Sequence, residues 1–135
     1  MAFPTMSPQS ITFIPSNAKA AITALPVFTP VETCYLTGVS IVSDTAITGN
    51  NTNYVAISLI QLANASNVVA TTNLKAGTNA TVNAVTDLTV NSTLNPVAAG
   101  TVLGLTLAYG NTTNINIGQY VLQIDYIQGS PAAEG

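Results

Sequence analysis

Leu103, Leu105, Leu107 and Tyr109 alternate with Val102, Gly104, Thr106 and Ala108, and the same two-residue period runs through Tyr120, Leu122, Ile124 and Tyr126. Alternation at this period places successive side chains on opposite sides of an extended backbone, so each run reads as a strand with one apolar face. Tyr35, Thr37, Val39 and Ile41 are expected to share a face in the same way. Between Tyr54 and Leu62, Val55, Ile57 and Leu59 fall on one side and Ile60 and Leu62 on the other, so both faces of that strand call for cover. Val82 to Val90 alternates more weakly, Val68 to Thr72 is a short β-branched run, and Gln9 to Ile14 reads as a first short strand.

Clusters rich in Gly and Asn separate these runs: Thr48 to Asn53, Ala76 to Asn79, Asn95-Pro96 and Gly110 to Asn114. Such residues supply the positive φ angles or local side-chain bonds that tight turns need. About eight strands at near-regular spacing imply an all-β, single-domain antiparallel β-sandwich, with a jelly roll as the leading topology. One stretch has two readings. Ser16 or Asn17 can cap a helix through Ala18 to Ala21 that Pro26 would stop, or Ala20 to Phe28 can form a strand with Pro26 near a sheet edge; the strand is preferred. Residues 1–16, with Pro4, Pro8 and Pro15, read as an extended arm leading into the first strand, 17–128 as the sandwich and 129–135 as a tail.

Charge narrows the function. In 135 residues the only cations are Lys19 and Lys75, His and Arg are absent, and charged residues make up 5% of the chain. Nucleic acids and anionic membrane surfaces are bound through several clustered Lys or Arg side chains, so neither is an expected partner. With no His and with carboxylates that are single and scattered, general acid–base or nucleophilic catalysis has no obvious machinery, and an enzyme is not expected. One cysteine and no histidine argue against zinc. The oxygen-rich stretch Asp44 to Asn53 lacks the further carboxylates of a calcium loop and reads as a strand connection. No metal or cofactor is therefore expected, and Cys34 reads as a small buried apolar side chain.

No apolar run approaches the roughly 18 residues that span a bilayer, and Met1 to Pro8 has neither a basic nor an apolar stretch of the secretory kind, so synthesis and folding in a cytoplasm are expected. So little charge on a small domain suggests a surface largely covered by other chains. Tyr54, Ile60 and Leu62, on the two-sided strand, are the candidate contacts of a homotrimer. Phe3, Pro4, Met6 and Pro8, on an arm pre-extended by its prolines, are the candidate contacts to a larger partner.

Three stretches also carry a family likeness. Thr33 to Val42, Asp44 to Thr48 and Thr52 to Leu59 resemble the strand, Thr/Asn-rich loop and Asn-Tyr-led second strand of small decoration (cement) proteins on tailed-phage capsids. Gly100 to Leu103, the closing strand Tyr120 to Tyr126 and the opening Ile11 to Ala18 are similar to that family too, while Ala18 to Ala24 departs from it. The resemblance implies a jelly-roll-like sandwich that forms homotrimers on the outer face of an icosahedral virion shell. There it would bridge neighbouring capsomers by binding the major capsid protein. Other structural parts of a phage, such as a head-fibre or tail-fibre domain or a shell subunit, and a carbohydrate-binding surface module are the alternatives.

Overall fold

The computed structural model describes residues 8–13, 21–50, 52–74, 79–110 and 118–128. Eight strands account for most of them: β1 (Pro8–Phe13), β2 (Ile22–Phe28), β3 (Cys34–Ser43), β4 (Val55–Gln61), β5 (Asn64–Leu74), β6 (Val85–Val90), β7 (Leu103–Tyr109) and β8 (Tyr120–Gln128). The described residues include no α-helix, only a single 3-10 turn at Ser92–Leu94 that Asn91 caps by accepting from the Thr93 N–H. The stretch with two readings is a strand over Ile22–Phe28, and Pro26 does sit on an edge strand, where its missing N–H costs no ladder bond on the outer side.

The strand order is β1-β8-β3-β6-β5-β4-β7-β2, antiparallel throughout. Its logic is a nested ribbon: β4 pairs with β5, β3 with β6, β2 with β7 and β1 with β8. A chain doubled back at Leu62-Ala63 and then rolled up gives these four pairs, which is the jelly-roll path. The sheet curls into two four-stranded halves, β1-β8-β3-β6 and β5-β4-β7-β2, joined where only Ala70↔Val90 and Thr71↔Thr89 pair.

The alternating residues line the interior as their spacing implies. Leu103, Leu105 and Leu107 on β7, Val55, Ile57 and Leu59 on β4, and Tyr120, Leu122 and Ile124 on β8 are all buried in one cluster. Each large side chain taken out of water there contributes roughly 1.5–3 kcal/mol. Aromatic residues close both ends. Phe28 packs on Tyr126 with ring centroids 4.9 Å apart, and Tyr109 and Tyr120 occupy the opposite ends of β7 and β8.

Three strands depart from the sequence reading. On β3 the interior face is not Tyr35, Thr37, Val39 and Ile41 throughout. Leu36 pairs with Tyr126 and Gly38 with Asp125, so Thr37 is an extra residue, a bulge that switches the phase. Cys34 and Leu36 face the core before it, Val39 and Ile41 after it, while Tyr35 is half-buried and Thr37 exposed. β5 begins at Asn64, ahead of the Val68 to Thr72 run, because it completes a hairpin with β4 through polar residues. β6 starts at Val85 rather than Val82, since Val82 and Asn83 lie in a turn in which Asn83 takes a φ of 56°.

The first residues of β3 need a neighbour, because β6 pairs with β3 only from Val39 onward. The segment after the 3-10 turn fills the gap. Cys34 and Val97 exchange two backbone hydrogen bonds of 2.9 and 2.7 Å. The Asn95 side chain then acts as one more strand residue, its Oδ1 accepting from the Leu36 N–H and its Nδ2 donating to the Leu36 carbonyl, both at 2.9 Å. Asn95→Ala strands both Leu36 groups in a largely buried position, a loss of about 1–3 kcal/mol. Urea unfolding should show that loss, while the exposed Asn73→Ala stays within about 0.5 kcal/mol of the parent.

Candidate interaction surfaces

Both half-sheets turn one face outward, and the two faces differ in charge. Among the described residues the charged ones are Glu32, Asp44, Asp87 and Asp125; β2, β4, β5 and β7 carry none. The outer face of β5-β4-β7-β2 is therefore uncharged. Its hydroxyls satisfy one another and the backbone: Ser58 and Thr71 share a hydrogen bond of 2.8 Å, and the Thr106 hydroxyl donates to the Ser58 carbonyl. On the other half, Asp125 of β8 accepts from the Ser10 hydroxyl at 2.7 Å and from the Gln123 amide at 3.0 Å, which fastens the edge strand β1 to its neighbour. Val85 stands 66% exposed on that side, next to its register partner Val42.

Two open grooves accompany these faces. One, of about 560 Å³, runs between the β4–β5 turn and the approach to β7, lined by Gln61, Leu62, Ala63, Ala99, Gly100, Thr101 and Val102. The other, of about 250 Å³, is lined by Val42, Ser43, Asp44, Asn83, Gln119, Tyr120 and Val121. Neither gathers catalytic groups. Asp44 Oδ1 accepts from the Thr45 hydroxyl and the Gln119 N–H, and Gly118, at a φ of 63°, passes so close that a Cβ there would collide with Asp44 and Thr45. In the oxygen-rich stretch Asp44 to Asn53, the Asn50 side-chain oxygen accepts from the Thr52 and Asn53 N–H groups and closes the turn. The described residues hold no group of three or more Cys, Asp or Glu side chains close enough to share a metal.

Of the residues proposed for a trimer contact, Ile60 is 5% exposed within the single chain. Its register partner is Gly104, and Leu62 folds back over that glycine, where a Cβ would collide with it. Ile60 is thus buried within the single chain and is not an exposed contact, while Ala56 and Ser58 on the same face of β4 stay partly exposed. Tyr54 and Leu62 remain half-buried, and the Tyr54 ring covers Gly110. Phe3, Pro4 and Met6 lie outside the described residues. Pro8 is exposed, but it is the first residue of β1, paired with Ile127, rather than part of a free arm.

The buried titratable groups are packing groups. Cys34 is free and fully buried, and burial pushes its thiol up to about 11. Burial, with a smaller contribution from the Tyr109 charge, pushes Tyr120 up to about 12, and burial raises Tyr109 as well. No described helix is long and apolar enough to cross a membrane. No protein-family model and no curated protein matches the chain.

The three raised values set an alkaline limit. All three groups are neutral when protonated and stay protonated longer when folded, so their contribution is complete at neutral pH. It begins to fall once the unfolded thiol ionises near its ordinary 9.0 and falls more steeply above the ordinary phenol value of 10.0. Cys34 and Tyr120 each add a slope of about 1.4 kcal/mol per pH unit between their unfolded and folded values. Urea titrations at stepped pH should show Cys34→Ser moving the onset up to the phenol range and Tyr120→Phe flattening the loss above it.

Proposed function

We propose that the protein is a structural component of a tailed-phage virion that decorates the outer face of an icosahedral capsid and binds the major capsid protein. The observation that carries this reading is where the residues of the family likeness fall. Thr33 to Val42 forms β3 with its bulge, Asp44 to Thr48 the following loop, and Thr52 to Leu59 the turn into β4, while Tyr120 to Tyr126 lies in β8, the strand paired with β3 in the same half-sheet. The likeness therefore follows the framework of one jelly roll rather than scattered coincidences of composition.

The surface chemistry supports the same reading. A half-sheet face without a charged residue loses little on desolvation against another protein, since no ion has to be stripped of water. A shell component also has no need of a catalytic constellation. On this reading the protein works by adding many modest contacts around a rigid shell, each strengthened by the high effective concentration of the others. Homotrimers, which the resemblance implies, would then use a surface other than Ile60. The carbohydrate alternative loses its platform among the described tyrosines, because Tyr120 and Tyr126 are buried and Tyr35, Tyr54 and Tyr109 half-buried.

Phe3, Pro4 and Met6, immediately before β1, are assigned to capsid attachment. Purified protein should bind saturably to shells stripped of it, and deletion of residues 1–7, which leaves β1 whole, should weaken retention about tenfold, or 1.4 kcal/mol. Unchanged retention moves attachment to the sandwich; absence of binding by the full chain overturns the reading.

A further inference from the structure

Among the described residues the curled sheet ends in two edge strands, β1 and β2, and the chain treats them differently. Exposed edges offer rows of unpaired N–H and C=O groups to any extended chain, and proteins commonly blunt them with bulges, prolines or charges. β2 is blunted: its register against β7 shifts between Ile22 and Leu25 and again between Pro26 and Phe28, with Pro26 in its middle. β1 is not. Its six residues pair with β8 in one unbroken register, from Pro8↔Ile127 to Phe13↔Leu122, without a charge and with its only proline at the first position. Among the described residues no strand pairs with its other side.

We propose that the free edge of β1 pairs with β1 of a second copy, antiparallel and about a two-fold axis through Ile11. Chemistry selects a strand as the occupant, because backbone groups along an edge are satisfied by another backbone. Charge allows that strand to be the same one. The chain carries a net charge of −3, yet β1 has no charged residue, and Asp125, beside it on β8, is held by Ser10 on the outer face.

Parity fixes the register. Directly paired residues in an antiparallel ladder point to the same face. Gln9, Ile11 and Phe13 lie on the core side, opposite Tyr126, Ile124 and Leu122, and Ser10 and Thr12 lie on the outer side, opposite Asp125 and Gln123. Full overlap, Pro8 against Phe13, would put an outer residue against a core-side one. Pairing centred on Ile11 keeps every face matched: Ile11 meets its own copy, Gln9 meets Phe13, and Ser10 meets Thr12. It also covers Ile11 and Phe13, the two residues of β1 that are only partly buried and pack against the core. A centre at Ser10 would leave Phe13 outside the ladder.

A two-fold contact cannot close a three-fold ring. On a shell it would join neighbouring decoration units rather than protomers within one, but the pairing belongs to the free protein and stands apart from the capsid reading.

The test is a register-specific crosslink in solution without capsids. Paired Cα atoms in an antiparallel ladder are about 4.5–5.5 Å apart, within the roughly 4.4–6.8 Å that a disulfide bridges. Ser10→Cys and Thr12→Cys change exposed outer-face positions, and the buried Cys34 does not compete. With glutathione disulfide as oxidant, a mixture of S10C and T12C proteins should form a covalent dimer about tenfold faster than either variant alone, because pairing raises the local thiol concentration. Adding lysines at the same positions is the counter-test. S10K/T12K sets lysine against lysine across the axis and should abolish concentration-dependent pairing of the otherwise unmodified protein in sedimentation equilibrium. Mixing S10K/T12K with T12E should restore it. Crosslinking no faster in the mixture than in the single variants, or self-association unaffected by S10K/T12K, overturns the proposal. Either result leaves shell binding by the single chain to be judged on its own assay.

Discussion

Everything in this fold hangs on one shared apolar layer between two half-sheets. β8 and β3 supply one side of it and β7 and β4 the other, through Leu122, Ile124, Val39 and Ile41 facing Leu105, Leu107, Ile57 and Leu59. The cysteine is free and the two lysines lie outside the described strands, so neither a disulfide nor a described ion pair with lysine supports that layer. Burial and backbone pairing carry the structure. The devices that look peripheral serve that layer: the Thr37 bulge lets β3 keep Cys34 and Leu36 inward as well as Val39 and Ile41, and Asn95 completes the ladder where β6 stops short.

The parts of the fold that follow from an uninterrupted period were legible in the sequence. β7, β8 and the inward face of β4 are seen where alternation puts them, because a strand with an unbroken register cannot move its apolar set to the other face. The first half of β3 was not legible, since one inserted residue reverses the phase and Thr37 has no signature that sets it apart from any other threonine. The early residues of β5, Asn64 to Asn67, look like a loop by composition and become strand only because β4 offers a partner. Asn95 was readable as a turn residue but not as a clasp, because its partner Leu36 is 59 positions away.

The candidate contacts show the same division. That Ile60 calls for cover was legible, but it is buried within the single chain beside its register partner Gly104, over which Leu62 folds, an arrangement between a turn and a neighbouring strand that a linear pattern does not contain. Pro8 was expected in an arm and instead begins the edge strand. The edge itself could be recognised only from the strand order, since what marks β1 is the contrast between its unbroken ladder and the bulged, proline-bearing β2.

The proposed decoration role makes contact with the shell stoichiometric. Quantitative mass spectrometry of purified phage particles, with the major capsid protein as internal reference, tests it most directly. The account predicts copies in fixed proportion to the capsid subunits, released together with the stability of the shell. A handful of copies per particle would make the protein a fibre or tail part instead, and its absence from particles would contradict the account outright.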